Sequence, residues 1–334
     1  MTRRAPSRPS AGSGQGGRLC AALFVLALLG EASGTQAQTT VDGIIDRVES
    51  GLRSDAQGAL SVLGFSVVPS ETASTLTIDS KQDGRFAFVG GQFGGAFTVS
   101  RSVPLYLEGF LGYARYDPRF LVEVDGDVIT LPGKWTGVSA TGGVGWDFHL
   151  TDRIVLRPIA NIAFGHVESD LSLLGRVIEA ETGLPTGGFE DGRVSAYGYG
   201  AALMLDFEDY TDAREIDVEL RYTHIRLEAF EASSARLETG SDAITLGLWS
   251  RLRVPTGLHA LNRPVRAVGE ASVGVYLGDQ DIVLDSPWLG QLGAGAELDF
   301  EAVDWAPIAR GRMVGRFLFG EGVTGFSVGL AASF

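Results

Sequence analysis

From residue 59 onward the chain repeats with a period of two. Val138, Ala140, Gly142, Val144, Trp146, Phe148 and Leu150 share one face, and Ser139, Thr141, Asp147 and His149 share the other. Tyr197, Tyr199, Ala201, Leu203, Leu205 and Phe207 oppose Gly198, Gly200, Asp206 and Glu208. Ile244, Leu246, Leu248, Leu252 and Val254 oppose Thr245, Trp249, Arg251 and Arg253. Leu292, Ala294, Ala296, Leu298 and Phe300 oppose Gln291, Glu297, Asp299 and Glu301, and Met313, Phe317 and Phe319 oppose Arg310, Arg312 and Arg316. The chain ends on GFSVGLAASF, in which Phe326, Val328, Leu330, Ala332 and Phe334 alternate with Gly325, Ser327, Gly329, Ala331 and Ser333. Successive residues of a strand point to opposite faces, so each segment reads as a strand with one apolar side.

The pattern predicts strands near Ala59–Val68, Arg85–Val99, Val103–Tyr116, Trp135–Leu150, Arg153–Val167, Arg193–Glu208, Glu215–Phe230, Asp242–Val254, Arg263–Leu277, Leu289–Ala302, Ala306–Phe319 and Thr324–Phe334. They are long, roughly 10 to 16 residues against a usual 5 to 6. Aromatics cluster near both ends of the apolar faces, as a membrane girdle requires. The joins PSETASTLTIDSKQDG, DPRFLVEVDGDVITLPGK and SDLSLLGRVIEAETGLPTGGFEDG are long, whereas SRS, TD, DYTDA and VDW are short. Short turns on one side and long loops on the other mark a membrane barrel, although the last outer join, GEG, breaks the trend. The expected fold is all-β: a closed antiparallel transmembrane β-barrel of about twelve strands.

Ahead of the strands the period changes. Val41, Ile44, Ile45, Val48 and Leu52 recur at helical spacing, with Asp42, Asp46, Arg47, Glu49, Arg53 and Asp55 on the other faces. This predicts an amphipathic helix over Val41–Gln57. Before it, Arg3, Arg4, Arg8 and Arg18 precede the apolar run LCAALFVLALLG, and Thr35 and Ala37 offer the small residues of a cleavage site. The expected organisation is a signal peptide at 1–37, the helix within 38–58 and the barrel at 59–334. Cys20, the single cysteine, lies in the leader, so the mature chain has no disulfide and no thiolate metal site. Beyond the leader no apolar run is long enough for a membrane helix.

Composition narrows the partners. The chain has 334 residues, a formal net charge of −14 and 46 glycines. That acidity argues against nucleic acid, whose phosphates need a basic footprint. An exported barrel of this kind implies the bacterial outer membrane, with outer-membrane lipid and lipopolysaccharide as neighbours and a monomeric state.

A helix, about twelve strands and a terminal aromatic together resemble the translocator domain of autotransporters. The resemblance spans Val41 to Phe334 and implies a helix threading the lumen. It also implies insertion by an assembly machinery that reads a C-terminal aromatic strand, here Phe326, Val328, Leu330 and Phe334. Only residues 38–40 separate the expected cut from the helix, so the resemblance is to solitary barrels without a passenger. Self-cleaving members of the family cut at an asparagine in the helix; Val41–Gln57 contains none, so no autoproteolysis is implied.

The candidate chemistry lies inside. Arg310, Arg312 and Arg316 are expected to face Glu297, Asp299 and Glu301 across a hairpin, with Arg251, Arg253, Arg266 and Glu270 extending a lumen charge network. Such pairs can fill the barrel interior. They can also hold the helix as a plug through Asp46, Glu49 and Arg53. Loop acids such as Glu123, Asp125, Asp127, Glu179, Glu181, Glu190 and Asp191 read as solvated, with no metal and no cofactor expected. GGQFGG and TGGVGW lie mid-strand, lack the phosphate-loop lysine and are expected to relieve bending. His149, His166, His224 and His259 form no closely spaced catalytic set. From Glu215 to Phe230 the apolar parity switches after Tyr222 to Ile225 and Leu227, which predicts a bulge or emergence from the membrane. The expected role is a non-enzymatic, helix-plugged barrel with a structural or surface-interaction task. The alternatives are a narrow porin-like diffusion channel and a rim hydrolase built on His224 and Ser250.

Overall fold

The computed structural model describes residues 60–69, 75–80, 86–124, 127–132, 134–169, 193–232, 240–280, 286–300 and 309–333. A helix, α1, covers residues 60–67. Fourteen strands follow: β1 (Thr75–Ser80), β2 (Phe86–Thr98), β3 (Leu105–Val124), β4 (Asp127–Pro132), β5 (Trp135–Trp146), β6 (Phe148–His149), β7 (Ile154–Ser169), β8 (Arg193–Tyr210), β9 (Glu215–Ala232), β10 (Gly240–Ala260), β11 (Arg263–Tyr276), β12 (Trp288–Asp299), β13 (Arg310–Gly320) and β14 (Val323–Ser333). β4 pairs with β3 alone and β6 continues β5 along β7, which leaves twelve strands in the ring. All pair antiparallel, and β1 closes the ring by pairing with β2 on one side and β14 on the other. A closed ring leaves no free edge in hydrocarbon, where an unpaired backbone group is costly.

The outer face carries the apolar set. Phe93, Leu111, Val144, Ile162, Leu203, Leu292, Met313, Phe326, Val328 and Leu330 are all exposed, Leu330 to 70%. A continuous exposed band of this kind is a lipid-facing surface, and the chain spans the membrane through it. Phe97, Trp146 and Phe148 edge the band at the short-turn end, and Phe164, Tyr197, Tyr199 and Phe230 edge it at the other. Leu261 and Asn262, both with positive φ, make the tight β10–β11 turn.

Three sequence expectations are corrected. Residues 60–67 form α1, not the first strand. A short apolar run is ambiguous between helix and strand, and here the surroundings decide. Leu60, Leu63 and Val67, three and four positions apart, pack on Trp135, Ala163, Val167, Ile225 and Leu227. Val62 and Phe65 pack on Ile78, Phe88 and Leu318 on another side. A helix apolar all round is a buried helix, and this one lies inside the barrel. The first strand is instead Thr75–Ser80, within the segment expected to be a long loop, so the count of twelve survives with a different first member. The join after β3 is likewise a hairpin, with Val124 paired to Asp127 and Arg119 to Pro132. β12 ends at Asp299 and β13 begins at Arg310, and residues 301–308, which hold the expected VDW join, lie outside the described residues.

Mid-strand glycines make room for α1. A Cβ on Gly112 would stand 2.4 Å from the Ser66 carbonyl oxygen, and one on Gly165 would stand 2.9 Å from Leu63. Gly137 also faces Leu63, at 3.2 Å. Their role at these positions is a close approach of the helix. Gly112→Val is therefore expected to lose about 1–3 kcal/mol of stability by overpacking. Gly109→Ala, where nothing lies within 4 Å, should leave the urea midpoint of the folded barrel unchanged. Equal midpoints for the two variants would remove the seat.

The parity switch in β9 has the same origin. No bulge interrupts the β9–β10 pairing, and Ile225 and Leu227 keep the inward parity of Arg221 and Thr223. They are apolar because the interior at their height holds α1. On the opposite face at that height stand His224, Arg226 and Glu228. β9 is thus polar-in and apolar-out in its lower half, and apolar-in and polar-out from His224 to Glu228, where Arg226 and Glu228 stand level with Tyr199 and Tyr197 of the upper aromatic edge.

Candidate functional site

The lumen has two layers. In the upper one α1 ends with carbonyls that have no partner within the helix. The wall supplies the donors. Gln92 Nε2 donates to Ser66 O at 3.0 Å and to Val68 O at 2.7 Å, Thr141 Oγ1 donates to Val67 O at 2.8 Å, and Gln280 Nε2 reaches Gly64 O at 3.3 Å. Ser139 donates to the Ser66 hydroxyl at 2.9 Å, and Ser66 in turn caps Leu63 O at 3.0 Å. Side chains from β2, β5 and the β11–β12 join thus cap one helix end.

The lower layer is ionic and crosses the lumen. Glu108 on β3 accepts Arg221 Nη1 and Nη2 of β9 at 2.9 and 2.7 Å, with Asn161 Nδ2 at 2.7 Å and the Tyr106 hydroxyl at 3.1 Å. The bidentate geometry matches a guanidinium to a carboxylate. Asp217 meets Arg251 at 2.8 Å and Arg253 at 2.9 Å. Glu215 meets Arg253 at 3.1 Å, Arg310 at 2.8 Å and Arg266. Arg316 donates to Glu270 at 2.7 Å. Arg157 pairs with Asp147 at 2.5 Å and lies 4.0 Å from the centre of the Tyr106 ring.

The sequence-derived network falls in this layer. The β12–β13 register sets Glu297 opposite Arg312 and Asp299 opposite Arg310. Arg266 reaches Asp299 at 3.4 Å, and Arg312 lies 3.8 Å from both Glu297 and Glu270. Glu301 and the helix residues Asp46, Glu49 and Arg53 lie outside the described residues. The described partners of Arg310 and Arg312 are carboxylates of the wall. Sequence reading missed Glu108, Asp147, Arg157, Glu215, Asp217 and Arg221; for Glu215, Asp217 and Arg221 the signal was present, as charges on the face opposite Ile216, Val218 and Leu220.

Small residues make space for these charges as well. A Cβ on Gly329 would lie 2.4 Å from Arg316 Nη1, and one on Gly143 would lie 2.6 Å from the Glu108 carboxylate. The small face of the last strand therefore accommodates a guanidinium, while Phe326, Val328 and Leu330 face outward. Phe334 is outside the described residues. Between helix end and ionic layer lies a cavity of about 140 Å³ whose lining includes Ser66, Gln92, Arg221, Thr223 and Trp249. It is smaller than the 300–1,000 Å³ usual for a ligand pocket.

Comparison with known proteins adds the following. The sequence matches no protein-family model and no curated protein. Among solved structures the chain is similar to the β-domain of the Bordetella autotransporter BrkA, at 15% identity and a TM-score of 0.45, covering 78% of this chain and 96% of that one. It is similar to the translocator domain of the autotransporter NalP from Neisseria meningitidis, at 15% identity and a TM-score of 0.43, covering 88% and 98%. It is also similar to the transport unit of the autotransporter AIDA-I from Escherichia coli, at 13% identity and a TM-score of 0.45, covering 86% and 99%. The barrel itself rests on the strand pairing above, and its chemistry on the residues named.

The rim-hydrolase pair does not assemble. His224 stands opposite Ile244, whereas Ser250 stands opposite Val218. Six residues of strand separate them, roughly 20 Å. His224 Nε2 contacts Asp242 at 3.1 Å, and Ser250 donates to the Ala271 carbonyl at 3.1 Å. Of the loop acids, Asp125, Glu179, Glu181, Glu190 and Asp191 lie outside the described residues. Among the described residues no group of three or more histidine, cysteine, aspartate or glutamate side chains could hold a metal ion.

Proposed function

We propose that this chain is a monomeric outer-membrane barrel of the autotransporter translocator type whose lumen is closed by its own residues. Its task is carried by its outer surfaces, and small solutes do not pass. The observation that carries this reading is the double closure. Wall side chains receive the carbonyls of α1 in the upper half, and ion pairs such as Glu108–Arg221 and Glu215–Arg310 cross the lower half. Either layer alone obstructs a ring of this size, since small barrels fill their interiors with side chains. The surrounding partners are outer-membrane lipid and lipopolysaccharide. Export uses a cleaved signal peptide, and insertion uses a barrel-assembly machinery that reads the terminal aromatic strand.

Planar-bilayer recording tests it. The full chain is expected to give no stable conductance steps. Leu63→Asp, which unseats α1, and Arg221→Ala, which breaks the ionic layer, are each expected to stay silent, and only their combination to conduct. Stable open steps from the unaltered protein would replace this reading with the narrow diffusion channel.

A further inference from the structure

A second constellation lies on the outside of the wall. His166 of β7 and Ser195 of β8 are paired directly in register. They share the parity of Ile162 and Phe164, and of Tyr197 and Tyr199, all of which are exposed on the lipid face. Directly opposed side chains start about 4.5–5.5 Å apart at Cβ, and these two meet: His166 Nδ1 is 2.9 Å from Ser195 Oγ. The other ring nitrogen, Nε2, is 3.2 Å from Glu168 Oε1, two residues along the same face. An ionised carboxylate only accepts. Glu168 therefore favours the tautomer with the proton on Nε2, and Nδ1 is left to accept from the serine hydroxyl. This is the serine–imidazole–carboxylate order that lets a hydroxyl attack as its proton leaves.

Two further observations bear on the same spot. The β8–β9 register shifts between Ser195 and Ala196: Ser195 faces Glu231 and Ala196 faces Ala229, so Phe230 is the extra residue of a bulge. Bulges break the ladder and re-aim side chains beside them, and they are enriched next to active sites. The height is also informative. Ser195 stands two residues beyond Tyr197, roughly 7 Å along the strand. The aromatic edge formed by Phe164, Tyr197, Tyr199 and Phe230 marks the boundary between hydrocarbon and headgroups. The ester groups of membrane lipids lie at that boundary, with their acyl chains running down against Ile162 and Phe164. His166 and Glu168 side chains are 41% and 65% exposed, so water reaches the site from above.

We propose that Ser195, His166 and Glu168 form a serine-esterase site on the outer wall, acting on ester-linked acyl chains of the surrounding membrane lipid. Ser195 Oγ attacks the ester carbonyl carbon while His166 Nδ1 takes the hydroxyl proton. The carbon–oxygen bond of the ester then breaks, and the alcohol leaves with the proton from His166. Water attacks the acyl-serine, giving one proton to His166 and its oxygen to the acyl group. Fatty acid leaves, and the proton returns to Ser195. The sum is ester plus water giving acid plus alcohol. Glu168 is a positioning residue. Arg193 stands opposite Glu168 in register, two residues before Ser195 on the same face.

The full chain is tested in proteoliposomes of phosphatidylethanolamine and, separately, of lipopolysaccharide, with released fatty acid measured in each. The folded barrel is also treated with an alkyl fluorophosphonate and the adduct located by mass spectrometry. Release in one arm only identifies the lipid source. Expected are an adduct on Ser195, loss of release in Ser195→Ala and a fall of roughly 10²–10⁴-fold in His166→Ala. Glu168→Gln should lower kcat without raising KM, Glu168→Asp should recover part of it, and His224→Ala should change nothing. All these positions are on the outer face, so heat-modifiable migration on a gel should report a folded barrel throughout. Release that survives Ser195→Ala overturns the proposal, as does a folded protein with neither adduct nor release in either arm. None of these variants touches the lumen, so this result and the conductance result fail separately.

Discussion

Arg221→Ala is expected to cost the barrel about 3–5 kcal/mol, the penalty for stranding one partner of a buried ion pair. The Glu108 side chain is 0% exposed and that of Arg221 is 9% exposed. Without the guanidinium, the carboxylate keeps only Asn161 and the Tyr106 hydroxyl. These are neutral donors and do not balance a full charge removed from water. Replacing both partners removes the charge problem altogether. The double variant Glu108→Gln with Arg221→Met is therefore expected to recover most of the loss, because a well-packed neutral replacement of a buried pair is often neutral or better. Guanidinium unfolding in detergent, followed for the two single variants and the double, gives the coupling directly. A loss under about 1 kcal/mol in Arg221→Ala would place this pair among exposed bridges instead.

Leu63→Asp is expected to release α1 from the lumen while the strand ladder persists. Leu63 is fully buried among Trp135, Val167, Ile225 and Leu227 and sits over Gly137 and Gly165. Losing its apolar contact weakens docking by roughly 1.5–3 kcal/mol. An unpaired carboxylate in that surrounding adds several more. Among the described residues the inward-facing arginine pairs lie in the lower layer, and Arg226, at the height of α1, is on the outer face and pairs with Asp242. The residues of α1 should then become cleavable by added protease, with the barrel fragment still migrating as folded. Leu63→Ala should stay protected, because it leaves a cavity without introducing a charge. Full protection of the aspartate variant would show that the helix is held by its carbonyl caps alone.

Much of the wall was legible before any coordinates. A strand in a membrane barrel shows hydrocarbon to one side only, so its sequence must alternate, and that alternation is local. The run Val138–Leu150 and the ending Phe326–Leu330 needed nothing beyond their own residues. The β12–β13 charges were also within reach, because a hairpin pairs residues close in sequence. The segment at 60–67 was not. Its apolar residues fit a strand and a helix equally, and only enclosure by strands from around the ring favours the helix.

A ring of amphipathic strands follows from the residues of each strand alone, because burial on one face and a period of two are local properties. What fills the ring was decided by tertiary structure. Ile225 and Leu227 are apolar on the inward face because α1 lies there, and Glu108 finds Arg221 across the lumen, 113 residues away. His166 meets Ser195 for a related reason: they are 29 residues apart in sequence and are brought together by the register of β7 with β8. Contacts between distant segments depend on how a closed ring aligns its strands, and no single segment encodes that alignment.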